Sequence, residues 1–284
     1  MKRGLLGVAG VLLAGVALAA GPYAVRKRVQ ASMLVSGSIT VAPDGTVKSD
    51  VIEHPEKLPT PVVKLIEHSV PTWRFAPVVR DGQPVMAKAA MSLRIVAKPI
   101  GSGNFSISIE GANFNQPSPD QIASAKRREP PVYPRAAIRA GVSGTVYLVL
   151  RVDRQGKVAD AAVEQVNIGE VASDPELARW RRVLADASLD AARRWTFLPP
   201  GSGKDAAAPP YRIARVPIYF RLRRFGVPHP DEGYGSWRAY VPGPLQPVPW
   251  LDHRMLSSGV DALPDGGVYP VAQSLHLTTP LAGA

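Results

Sequence analysis

The stretch "PPVYPRAAIRAGVSGTVYLVLRVDRQGKV", Pro130 to Val158, decides how this chain is read. Pro131 and Pro134 fix φ, and each pushes the residue before it toward extended geometry. A short helical run follows. Then Val146, Leu148, Leu150 and Val152 alternate after Gly144, as a strand with one buried face requires. Asp153-Arg-Gln-Gly156 supplies a turn with glycine where positive φ is tolerated. Val158, Ala161 and Val163 continue on a second strand.

Downstream, "PELARWRRVLADASLDAARRW" is rich in good helix formers, with Pro175 early. Its Leu177, Trp180, Val183, Leu184, Leu189 and Ala192 fall near a 3.6-residue repeat. "YRIARVPIYFRLRR", from Tyr211, closes the unit as a third strand, with Ile213, Val216, Ile218 and Phe220 as its apolar residues. Pro217 cannot donate to a central ladder, so it points to a border strand or a bulge.

Upstream, the same order of elements recurs. "GSITVAPDGTV", Gly37 to Val47, parallels the strand-turn-strand that starts at Gly144. Trp-x-Phe-x-Pro follows a helical stretch twice, at Trp73, Phe75, Pro77 and at Trp195, Phe197, Pro199. Two copies of one small unit are expected. The first has strands near 38–41, 46–52 and 85–96, a helix over 61–69 and an extra strand over 104–111.

The expected organisation follows. Residues 35–112 form the first unit, 113–129 a linker rich in Pro, Ser and charge, 130–225 the second unit, and 226–284 an irregular Pro- and Gly-rich tail. The fold class is α+β: two small two-layer domains, each an antiparallel sheet of about three strands with helices on one face.

At the N-terminus, Lys2 and Arg3 precede an uncharged apolar run, Gly4 to Ala20, with a small-residue pattern at Ala17-Leu18-Ala19. This fits a cleaved signal peptide or an uncleaved anchor. As a helix it would span about 25 Å, short of the roughly 30 Å hydrocarbon core. Arg26-Lys27-Arg28 lies on the wrong side for positive-inside retention. Both readings place the remainder in the periplasm, soluble or tethered to the inner membrane.

The 284 residues include no cysteine, which excludes disulfide staples and thiol chemistry. A net charge of +11 suits anionic partners, but the arginines are scattered and an exported chain does not meet nucleic acid. The five histidines show neither metal-ligand spacing nor a local nucleophile. "GSGKD", from Gly201, lacks the spacing of a phosphate loop. No cofactor, no metal and no catalytic residue is expected.

Taken together, "PPVYPRAAIRAGVSGTVYLVLRVDRQGKV", "LDAARRWTFLPP" and "RVPIYFRL" resemble the C-terminal domain of the TonB energy-transducer family over roughly 130–223. The landmarks are Tyr-Pro before a short helix, Gly before the first strand, Trp-x-Phe-x-Pro at the helix end and a last strand closing on Phe-x-Leu. Residues 37–96 resemble it more weakly, without the Tyr-Pro lead. The resemblance implies capture of an extended segment of an outer-membrane transporter as an added strand, with an inner-membrane proton-driven motor pulling. The residues it points to are Pro131, Tyr133 and Pro134 on the lead, and Tyr211, Ile213, Arg215, Ile218, Arg221 and Arg223 on the last strand. The arginines would suit an acidic segment. Two departures weigh against energy coupling: Gly4 to Ala20 has no polar residue, and the spacer to Gly37 is short. The other reading is a structural envelope protein that pairs with itself as a homodimer, or binds anionic cell-wall polymer through its basic surface.

Overall fold

The computed structural model describes residues 28–101, 104–115, 125–198, 210–222, 233–251, 259–271 and 275–281. The N-terminal apolar run and Arg223 lie outside these residues. The chain is α+β, with antiparallel sheets and few helices.

The first unit runs β1 (Gln30–Val41), β2 (Val47–Ile52), α1 (Thr60–Ser69), β3 (Val78–Arg80), β4 (Gln83–Val85), β5 (Ala87–Gly101) and β6 (Asn104–Asn113). Its sheet orders β12-β1-β5-β6, with β2 also on β1, where β12 is Arg238–Tyr240 from the tail. The alternation in β1 places Met33, Val35, Ile39 and Val41 on one face. They meet Met91, Leu93 and Ile95 of β5 and Val62 and Ile66 of α1. Trp73, Phe75 and Phe114 seal this core edge to face, with ring centroids 5.0 to 5.9 Å apart.

The second unit runs β7 (Ala125–Arg127), α2 (Arg135–Ala140), β8 (Gly144–Asp153), β9 (Val158–Ile168), α3 (Asp174–Ala192), β10 (Thr196–Phe197) and β11 (Tyr211–Phe220). The helix α3 starts at a capping box: Ser173 and Glu176 satisfy each other's backbone N–H groups. Its Leu177, Leu184, Ala191 and Ala192 pack on Val146, Leu148, Leu150 and Val152 of β8. Gly141, at φ 68, closes α2 in the left-handed region that glycine adopts freely. The sheet orders β13-β11-β8-β9, where β13 is Tyr269–Pro270.

Among the described residues the two larger sheets hold five and four strands against about three expected, because the tail adds one to each and the extra strand expected over 104–111, β6, joins the first. The stretch read as an irregular tail is irregular only in period. Arg238–Tyr240 pairs with β1, and Val241 bridges to Ile168 of β9. Val248, Leu251 and Val271 cover Val149 on the face of β8 opposite α3. The turn 260–262 sits against β5 and β6, where the Ser92 hydroxyl donates to the Ala262 carbonyl at 2.7 Å. Phe75 bridges to Leu277. The second sheet is therefore covered on both faces, by α3 on one and by the tail on the other.

Candidate functional site

The strand β11 pairs with β8 along its whole length, Tyr211 opposite Asp153 through Phe220 opposite Gly144, without a shift in register. Its residues alternate strictly between the two faces. Ala214, Val216 and Phe220 join the helix-side core, with Ile218 packed beside them. Ile213 faces the tail with Val149. Tyr211, at the outer end, lies under the Arg151 guanidinium at 4.1 Å.

Arg215 departs from its expected role. It is 3% exposed and pairs with Glu164, Nε to Oε2 at 2.7 Å and a second nitrogen to Oε1 at 2.9 Å. Glu164 is fully buried, and its carbonyl accepts from Gln246 of the tail. A guanidinium so enclosed is not available to a partner. A buried cation is tolerated only with a matched anion, and here the anion comes from β9.

The outer border of β11, expected to be open, carries residues 265–271. Tyr269 and Pro270 pair antiparallel with Arg215 and Ala214, and Val271 N–H donates to Ile213 O at 3.0 Å. The Asp265 carboxylate accepts from the backbone N–H of Tyr219. By the same alternation the backbone of Pro217 faces this border, where a missing N–H leaves no orphan donor. The proline thus fits the border position that its chemistry predicts.

The Tyr-Pro lead meets the other end of the strand. Tyr133 packs edge to face on Phe220, centroids 5.2 Å apart, and its hydroxyl donates to Val142 O at 2.7 Å. Burial, with Glu170 nearby, raises its hydroxyl pKa to about 12. Pro131 and Pro134 are half-buried, whereas Val132 between them is exposed. The lead also accepts a bond: Trp195 Nε1 donates to Glu129 O at 2.8 Å. Arg221 stacks over the Tyr219 ring at 4.6 Å, and Arg238 approaches the same ring at 5.2 Å. The structure therefore brings Tyr133, Ile218 and Arg221 to one end of β11 and Tyr211 and Ile213 to the other.

The functional elements missed by the sequence reading are Glu164 and the segment 265–271. An acidic residue between apolar neighbours in "AAVEQV" was one signal for the first. Nothing periodic marks the second. Among the described residues no group of three metal-ligating side chains is gathered, and no helix is long and apolar enough to cross a membrane.

A strand backed by a helix, with a proline-ordered lead packed at its end, defines a small helix-on-sheet module. No family model matches the chain. It is 39% identical over 100 residues to the Protein TonB of Xanthomonas campestris pv. campestris strain B100, and equally to that of a second strain. This match takes in 35% of the chain, about the length of one unit, and supports the TonB C-terminal domain family named from the motifs above. The chain covers 38% of those relatives' length. The solution structure of the Pseudomonas aeruginosa TonB CTD is 26% identical over 37% of this chain and 92% of its own, with a TM-score of 0.27.

Proposed function

We propose that the protein is a non-catalytic, TonB-like envelope binding protein that captures an extended segment of an outer-membrane transporter by adding it as a strand to β11. The observation that carries this reading is the seat of residues 265–271. They lie antiparallel along β11, in the place and direction an added strand takes, with two register pairs and single bonds from Val271 and to Asp265 on either side. A border that accepts a strand of the chain itself has the backbone geometry to accept another, and a longer segment gains more ladder bonds than the short one it displaces. The lead, with little entropy left to lose, supports the far end through Tyr133 and Phe220. Arg221, stacked on Tyr219 with Asp265 nearby, lies at the same end. Coupling to an inner-membrane motor would require the N-terminal run to stay in the membrane.

The test is retention of the full chain on immobilised periplasm-facing transporter peptides, with scrambled and backbone N-methylated controls. Retention by the native peptide alone is expected, and it should change little with salt because backbone pairing is not ionic. Retention no greater than on the scrambled peptide removes the reading. Binding to anionic cell-wall polymer that collapses with ionic strength would favour the structural envelope role instead.

A further inference from the structure

One side of β1 is interrupted. Toward β5 it pairs continuously, Ala31 opposite Ala97 through Val41 opposite Ala87. On its other side Gln30 to Ser32 pair with β12 and Gly37 to Val41 with β2, and among the described residues no strand lies beside Met33 to Ser36. This gap opens into a polar cleft of about 340 Å³ between the two units, walled by β1, β8, the end of β9 and the tail at 233–240 and 261–265. Small-ligand cavities run from roughly 300 to 1,000 Å³.

In a strand, residues two apart send their N–H and C=O groups to the same side. Ser36 N–H donates to the Tyr234 hydroxyl at 3.1 Å, and Ser36 C=O accepts from that hydroxyl at 3.2 Å and from Glu53 N–H at 2.9 Å. Leu34 therefore turns its own N–H and C=O into the gap, and it lines the cleft. Among the described residues no hydrogen bond reaches them on that side. A single hydroxyl, acceptor and donor at once, stands in for a strand residue beside Ser36. A ligand hydroxyl can do the same beside Leu34. A peptide strand cannot run through, because Tyr234 already fills the next place.

The charges around the cleft are matched. Asp261 Oδ2 lies 3.0 Å from Arg94 Nε and accepts from the Tyr240 hydroxyl at 3.2 Å. Asp265 accepts from the backbone N–H groups of Gly266 and Tyr219, with Arg221 and Arg238 nearby. An ion entering here would lose its hydration without meeting an uncompensated counter-charge. A neutral molecule rich in hydroxyls would meet donors and acceptors on several sides, with phenols from Tyr147, Tyr219 and Tyr240. We infer that the cleft binds one neutral sugar unit, one hydroxyl bridging the N–H and C=O of Leu34 and others reaching Asp261 and the tyrosines beside it. The site does not rest on strand capture at β11, since it uses the tail as it stands in the structure.

The test titrates the full chain with glucose, galactose and N-acetylglucosamine, followed by saturation-transfer NMR of the sugar protons and by calorimetry. Alanylalanine and inorganic phosphate are the contrasting ligands. At least one sugar should bind, one per chain, and neither contrasting ligand should displace it. Ala239→Trp, at an exposed position on the rim, should lower the affinity by about tenfold or more while circular dichroism and the melting temperature stay unchanged. Val132→Trp, exposed and outside the cleft, should alter nothing. Leu34→Pro deletes the free N–H, keeps the ladder to β5 and should weaken the same sugar. A folded chain that binds none of the three sugars overturns the inference. So does binding indifferent to Ala239→Trp, or the dipeptide or phosphate binding in the sugar's place.

Discussion

Trp73 and Trp195 hold equivalent places in the two units, yet only one is fully satisfied. Both are buried, at 1% and 3% exposure, and each starts a Trp-x-Phe pattern after a helix. Trp195 donates its indole N–H to Glu129 O on the Tyr-Pro lead. Trp73 has no such lead before it, and its Nε1 is buried without a hydrogen-bond partner among the described residues. The difference separates two jobs of one residue. Its ring closes a helix against a sheet wherever the pattern occurs, but its N–H is useful only where a second strand of chain is laid over it. The lead thus acts first as part of the second unit's own architecture. In the first unit no described segment of chain reaches the indole N–H.

The largest effect comes from removing the rings. Trp73→Ala and Trp195→Ala should each cost about 3–5 kcal/mol in chemical denaturation, since both vacate large buried volumes. Because the tail pairs with both sheets, each variant should still unfold in one transition. Two resolved transitions would show that the units melt apart. A comparable loss, about 3–5 kcal/mol, is expected for Glu164→Ala, which strands the buried Arg215 charge and tests whether the tail-covered face needs its ion pair.

A finer probe keeps the ring and deletes the N–H. Trp195→Phe should cost about 1 kcal/mol more than Trp73→Phe, because only the former breaks a hydrogen bond and leaves a carbonyl unpaired. Equal losses in urea titrations would dissolve the contrast between the two units.

A further probe is alkaline. Burial raises the hydroxyls of Tyr133 in the lead and of Tyr240 and Tyr269 in the tail to about 12. The native state then holds protons that the unfolded chain releases near pH 10, so stability should fall as pH rises from about 10 to 12. Absorbance at 295 nm should show these rings ionising late. Tyr240→Phe should shallow the decline in that window, and an unchanged slope would contradict it.

Much of the architecture was legible because it is periodic. The alternation from Val146 to Val152 and the 3.6-residue stripe in 175–195 gave β8 and α3 and the face on which they meet. The same alternation misled about the other face. "TVYLVLRV" is apolar at nearly every position, the mark of a strand covered on both sides, and Val149 is as buried as Leu148. What covers it could not be read. The tail makes contact through single residues such as Val248, Leu251 and Val271, spaced by prolines and glycines, and isolated contacts leave no period. The candidate site shared this fate. Pro217 lies on the side of β11 away from β8, beyond the two residues that pair with β13, but the segment along that side has no pattern of its own. Arg215 looked like a free surface cation because its anion lies fifty-one positions away in sequence.

The run from Arg238 to Val241 has a mechanical consequence. Its first three residues are laced to β1, and the next is laced to Ile168 in the other sheet. One extended stretch is thus a stitch through two fabrics. A pull applied at either end of the molecule would load its bonds lengthwise and together, so the halves would be tugged as one piece instead of hinging apart.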